Sequence, residues 1–178
     1  MGVTFALFER SQADDLARSL ASETWSFHAG GRETAAWFHI QINNGAFDSG
    51  HNRTYWIQAN SERVGIVHLT DLGNGTPLFD LRVLSGHRGR GLGTITVRWL
   101  TEHVFGEFPA LHRIEANTRQ DNIAMRRVLS KCGFAKEAHH RDAWPADEGA
   151  LYDSIGYGIL RQDWTLGSIT PVDWDDEP

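Results

Sequence analysis

A single cysteine, Cys132, among 178 residues excludes an intramolecular disulfide and a cysteine-built metal cage. No stretch approaches the roughly 18 consecutive apolar residues of a transmembrane helix, so no membrane span is expected. Met1 to Arg10 lacks both the basic region and the apolar segment of a signal peptide. Gly2 opens a myristoylation pattern, but Ala6 stands where that pattern needs Ser or Thr. Cytoplasm is the location these absences predict. An excess of positive charge is missing too. The net charge of −6 argues against a surface built for nucleic acid, while leaving cationic substrates open. There is no repeat, no low-complexity tract and no Pro/Gly/Ser linker. One domain over 1–170 is therefore expected, followed by an acidic, frayed tail over 171–178.

With 40% hydrophobic and 22% charged residues, the chain has the balance of a globular protein with one proper core. Thr4 to Phe8 reads as a strand. Ser11 is a candidate N-cap for a helix over Gln12 to Ala21, and a second helix fits Glu33 to Asn43. Thr54 to Ala59 and Val64 to Leu69 are β-branched and aromatic, with Asn60-Ser-Glu62 as the turn between them. Leu78 to Leu84 is the next strand. The period then changes to helical after a glycine-rich loop, with Ile95, Val97, Trp99, Leu100 and Val104 as an apolar face. His112 to Asn117 is a strand. Asp121 is a candidate cap for a helix over Asn122 to Cys132, which Gly133 ends before Phe134. Ala135 to Arg141 and Ser154 to Leu160 are the last strands, joined by a loop containing Trp144-Pro145. This order predicts a mixed α/β sheet flanked by about four helices.

The most informative segment is Arg88-Gly-Arg-Gly-Leu-Gly93, between a strand and a helix. Glycines bring backbone N–H groups close to an anion, and the following helix aims its positive end at the same place. Arg88 and Arg90 add permanent charge. A phosphate or pyrophosphate site follows. A dinucleotide fingerprint fails, because Thr94 occupies the third glycine's position after Gly89 and Gly91; a P-loop fails for want of its lysine. The spacing Arg-x-x-Gly-x-Gly does fit, on Arg88, Gly91 and Gly93.

Leu81 to Gly93, together with Ile114-Glu-Ala-Asn117, Asp121-Asn122 and Arg126-Arg-Val-Leu-Ser-Lys-Cys-Gly-Phe134, resembles the signature of the GNAT acyltransferase superfamily. The second block is similar to its bacterial ribosomal-protein N-terminal acetyltransferases. The resemblance implies a central, mostly antiparallel sheet with a V-shaped splay between the fourth and fifth strands. It implies acetyl-CoA as acyl donor, with its pantetheine arm along the backbone of Val83 and Leu84. The pyrophosphate would rest on N–H groups from Arg88, Gly89, Arg90, Gly91, Leu92, Gly93 and Thr94. Asn122 would bond the arm, and Asn117 would face the arm or the acceptor. No metal is implied. The partners implied are an acyl-CoA and an amine acceptor, a protein N-terminus or a small molecule, with a homodimer left open.

Acyl transfer by direct attack needs a neutral amine, an oxyanion donor and a leaving thiolate. A backbone N–H near Leu84 is the expected oxyanion donor. Glu115 is the first candidate for general base and Asp80 the second. The position where relatives place a tyrosine acid holds Leu129, and Tyr152 and Tyr157 are unranked replacements. Trp25, Phe27, His28, Trp37 and Trp144 flank the expected substrate side. His139, His140 and Asp142 do not form a metal site, because neighbours on a strand face opposite ways. A non-catalytic acyl-CoA sensor is the alternative, separable by assaying thiol release.

Overall fold

Two apolar runs with strand character meet first. Arg53–Ala59 (β2) pairs antiparallel with Glu62–Thr70 (β3), from Arg53 opposite Leu69 to Ala59 opposite Glu62. The two residues between them, Asn60 and Ser61, have φ of 51° and 69°, the left-handed pair that a tight hairpin requires. The computed structural model describes residues 2–28, 33–146 and 149–174. Around this hairpin, Val3–Leu7 (β1), Leu78–Val83 (β4), Arg113–Arg119 (β5), Ala135–Pro145 (β6) and Leu151–Leu160 (β7) complete a seven-stranded sheet of order β1-β2-β3-β4-β5-β7-β6. Only β4 and β5 run parallel. Of the expected acidic tail, residues 175–178 lie outside the described residues.

Helices cover both faces. Ala13–Ala21 (α1) and Ala35–Asn43 (α2) bury Leu16, Ala17, Leu20, Phe38 and Ile42 against Trp56 and Ile66 of the sheet. Leu92–Glu107 (α3) and Ile123–Lys131 (α4) bury Val97, Leu100, Val104 and Leu129 against Val67, Leu69, Ile114 and Ile159 on the other face. Each such side chain contributes about 1.5–3 kcal/mol, so the two clusters fix the sheet between two helical layers. The fold is the mixed α/β architecture that the element order predicts.

Local differences from the sequence reading have identifiable causes. Ser11 sits inside a short 3-10 turn over Arg10–Gln12, where the Glu9 N–H donates to Gln12 Oε1, so it does not cap α1. Asp121 does not cap α4 either. Asn122 does, accepting from the Met125 N–H at 3.2 Å, while Asp121 is held by Arg119. Ile95 is exposed, and Leu92, Thr96 and Phe105 take its place on the buried face of α3. Trp144-Pro145 belongs to β6 rather than to a loop, paired with Leu151 and Tyr152. A fifth helix, Arg161–Leu166 (α5), was not anticipated. Its first residue donates to the carbonyls of Phe105, Phe108 and Leu111 at 2.7–2.8 Å, a tertiary role that no local pattern reveals.

Candidate active site

Parallel strands β4 and β5 touch at one place, Leu78 opposite Glu115, where the Glu115 N–H also donates to the Pro77 carbonyl. Beyond it they part, and the sheet opens into a V. One side of the opening holds a cavity of about 500 Å³ reaching from Trp25 past Val83 to the loop Arg88–Thr94 and α4. The other holds a cavity of about 280 Å³ between Asp80, Arg82, Asn117 and Trp144. Phe27, His28, Leu81, Asn122 and Met125 line both, so the two are continuous through the splay.

The glycine loop has the build of an anion cradle. Gly89 and Gly91 have φ of 75° and 81°, conformations that side chains disfavour, and a Cβ at either would meet nothing within 4 Å. Gly91 precedes α3, whose first N–H groups have no intrahelical acceptor and no side-chain cap. Gly93 lies 3.3 Å from Val128 at the Cβ position, which lets α3 and α4 approach closely. Among the described residues Arg90 has no ion pair; it is exposed and does not line the cavity, so its charge acts from the outer side of the loop.

Several expected contacts differ in detail. Arg88 is engaged within the protein, donating to the Val83 carbonyl at 2.8 Å and to Glu23 at 3.0 Å. Glu23 also accepts from Ser85, so it pins the end of β4 to the segment after α1. The Leu84 N–H donates to the Val64 carbonyl at 2.9 Å, away from the opening. Strand alternation therefore turns the N–H groups of Leu81 and Val83 toward the V, in place of the one at Leu84. The Leu92 side chain is core, packed with Ile57, Ala59 and Val64, and Thr94 accepts from the Cys132 thiol at 3.6 Å. Asn122 donates to Thr118 Oγ1 at 3.1 Å besides capping α4, which leaves one of its amide hydrogens for a ligand. Asn117 is exposed in the opening.

The two candidate bases separate. Glu115 lies at the closed end of the V, its Oε1 bonded to Arg113 at 2.7 Å, and it lines neither cavity of the splay. Asp80 lines the smaller cavity with both oxygens occupied: Oδ1 accepts from His28 Nε2 at 2.7 Å and Oδ2 from Arg82 Nε at 2.9 Å. Burial pushes the Asp80 carboxyl up, yet His28 and Arg82 outweigh it and hold the group well below the usual carboxylate range. A carboxylate so held is a poor base and a good partner for a histidine. Nδ1 of His28 is buried with no partner among the described residues.

Sequence reasoning placed His28 near the substrate without a role. Its Asp80 partner is 52 residues away, so the pairing exists only in three dimensions. Trp25 anchors this segment, donating to the Leu20 carbonyl at 2.7 Å and standing edge-on to His28. Arg119 clamps it from β5, between the rings of Phe27 and Tyr152 and bonded to the Ser26 carbonyl. Trp37, expected on this side, stands 41% exposed on α2 and lines neither cavity. Tyr157 accepts from Arg126 behind α4, away from the opening. His139 is bonded to Asp153 at 2.7 Å on the far edge of the sheet.

The comparisons agree with this geometry. A profile of the acetyltransferase (GNAT) domain matches residues 3–135. The probable N-acetyltransferase YjcK of Bacillus subtilis (strain 168) is 45% identical over 51 residues, 29% of this chain and 28% of that protein. The SPbeta prophage-derived uncharacterized N-acetyltransferase YokL of the same organism is 24% identical over 155 residues, 86% of this chain and 82% of that protein. Among solved structures, a spermidine N-acetyltransferase SpeG chimera from Vibrio cholerae and hSSAT superposes with a TM-score of 0.80 at 18% identity, covering 93% of this chain and 99% of that one. The Vibrio cholerae spermidine N-acetyltransferase in complex with CoA and spermine gives 0.76 at 18% identity, covering 92% and 98%.

At that identity these structures show the fold alone. The narrower likeness to ribosomal-protein acetyltransferases finds no support in them. Its motif residues here build a helix: Asn122 caps the start of α4, and Gly133 at φ 87° with Phe134 in the core closes its end. From the profile match, the single splayed junction and the glycine cradle together, the chain belongs to the GNAT acetyltransferase family and carries its acyl-CoA-dependent acetyltransferase domain.

Proposed function

We propose that the protein transfers an acetyl group from acetyl-CoA to a primary amine by direct attack in a ternary complex. The observation that carries this reading is the continuous opening between β4 and β5, with the glycine cradle at one end and His28, Asp80 and Asn117 at the other. The donor's pyrophosphate rests on the N–H groups before α3 with Arg90 beside them, and Asn122 bonds the arm. The Val83 N–H is the oxyanion donor, since strand alternation aims it into the V.

His28 takes the amine's proton in this reading: Nε2 stays on Asp80, which orients the imidazole and stabilises its charged form, and the proton goes to Nδ1, which the ring must turn out of its buried position to present. Neutralising the α-amine of a peptide at pH 7 costs about 1 kcal/mol, against about 4–5 for a lysine side chain, and an α-amine beside a free carboxylate lies between the two. The thiolate leaves readily, because a thiol of pKa near 8.5 needs little help from an acid. The acceptor itself, a protein N-terminus or a small molecule, is the open part of the proposal. Spermidine and spermine belong to proteins that share the fold at 18% identity.

Thiol release from acetyl-CoA in the presence of mixed amines tests the activity, and calorimetry tests the donor site. Gly91→Glu puts a side chain at φ 81° and a negative charge into the cradle, so acetyl-CoA binding is expected to fall at least tenfold. Equal affinity in the two proteins would remove the loop from the donor site. Tight binding with no thiol release would make the domain an acyl-CoA sensor instead.

A further inference from the structure

We infer that the acceptor is an α-amino acid bound as the free acid, its carboxylate held by Arg82 and its amine presented to His28; this rests on the acyl-transfer reading above. The titratable groups lining the smaller cavity, among the described residues, are Asp80, Arg82 and His28. Its carboxylate is already spent, because both oxygens of Asp80 accept hydrogen bonds from inside the protein. A polyamine would therefore meet the Arg82 cation here and no free anion. Arg82 is the reverse case. Its Nε donates to Asp80, while its terminal nitrogens have no acceptor among the described residues and are not sealed from solvent, and the residue lines the cavity.

The Arg82 side chain is only 16% exposed, and the Trp25 ring lies 5.5 Å from its guanidinium, so the group is poorly hydrated and restrained. A planar guanidinium with its terminal N–H groups free is matched to a carboxylate. Arg119 does not compete for that role, since Asp121, the Ser26 carbonyl and two rings already occupy it.

Spacing supplies the rest. His28 and Arg82 end on the two oxygens of one carboxylate, so imidazole and guanidinium are separated by little more than that group and two hydrogen bonds. An amine and a carboxylate on one α-carbon match that separation. A peptide N-terminus offers a neutral carbonyl at the same place, and a simple amine offers nothing. Phe27, Phe79 and Trp144 form apolar walls beside the two polar groups, which favours an apolar or aromatic side chain on the acceptor.

The test measures kcat/KM with acetyl-CoA for phenylalanine, leucine and tryptophan, for their amides, for 2-phenylethylamine and for spermidine, in wild type, Arg82→Gln and Arg82→Lys. Wild type is expected to prefer each free acid over its amide by about ten- to a hundredfold, the difference between a charge-assisted and a neutral hydrogen bond. That ratio should collapse toward one in Arg82→Gln and persist in part in Arg82→Lys. Ratios within one protein are insensitive to how much of a variant folds. Wild type using amides or spermidine as well as free acids, or Arg82→Gln keeping the preference, would overturn the assignment alone. Absence of thiol release with every amine would overturn the acyl-transfer reading and this assignment with it.

Discussion

His28 Nε2 lies 2.7 Å from an aspartate whose own charge is fixed, and this contact decides how the acidic groups of the splay are read. Asp80 remains ionised at any working pH because His28 and Arg82 overcome its burial, so it can orient and stabilise an imidazolium but takes up no proton itself. Glu115 lies at the closed end of the splay, lines neither cavity and has Oε1 on Arg113. His28→Gln is expected to lower kcat/KM at neutral pH by about 10²–10⁴-fold. It should recover partly as pH approaches the pKa of the acceptor amine, whereas Glu115→Gln should leave the pH profile in place. A pH-independent deficit in His28→Gln would mean that the ring only packs.

At the scale of elements, β4 is held in register from the β3 side, and Gly65 makes that possible. A Cβ at Gly65 would lie 2.2 Å from the Arg82 carbonyl oxygen and 3.0 Å from the Val83 Cα, which is backbone and cannot swing aside. Gly65→Ala must push β4 toward the opening or unpair it. A loss of about 1–3 kcal/mol is expected in denaturant unfolding, with KM for acetyl-CoA raised as well, because the displaced strand lines the cavity proposed to hold the donor. Unchanged stability would show that β3 and β4 can separate locally. Helix α4 is tied to the same opening by its cap: Asn122 and Thr118 link its first turn to β5, so the residue proposed to bond the donor arm also fixes the helix that flanks the opening.

Across the whole molecule, burial disfavours the charged form of two histidines. Burial pushes the His68 imidazole below its ordinary value of 6.5, with Asp80 opposing and Arg82 assisting the shift. Burial also lowers His103, paired to the Tyr55 hydroxyl at 2.8 Å. In the unfolded chain both protonate near 6.5, while the folded protein resists. The unfolded state thus binds more protons below that pH, and stability rises with pH through this window and falls as pH drops below it. Asp80 acts in the same direction at lower pH. Its stabilisation is complete above its ordinary value of 3.8 and is lost as pH falls toward its depressed folded value. Urea midpoints should therefore decline in two stages on acidification. His68→Gln should flatten the stage near pH 6, and a midpoint constant between pH 7 and pH 5 would contradict the assignment.

Much of the architecture was legible in the chain because it is set by local physics. The period changes at Leu84 and again near Arg113, the turn residues Asn60-Ser61, the glycine spacing from Gly89 to Gly93 and the Gly133 helix stop each follow from backbone sterics and helix ends. The order of elements along the chain came with them. The chemistry of the acceptor side was not legible, because its partners are far apart in sequence. His28 meets Asp80, Arg119 meets Phe27 and Tyr152, and Arg161 reaches the end of α3, all through tertiary packing. A carboxylate's usefulness as a base depends on what surrounds it. Sequence alone determined that a glycine-rich loop precedes a helix in a mixed sheet. Only the tertiary structure decided which acidic group faces the opening, because burial and ion pairing are properties of neighbours that the folded chain alone brings together.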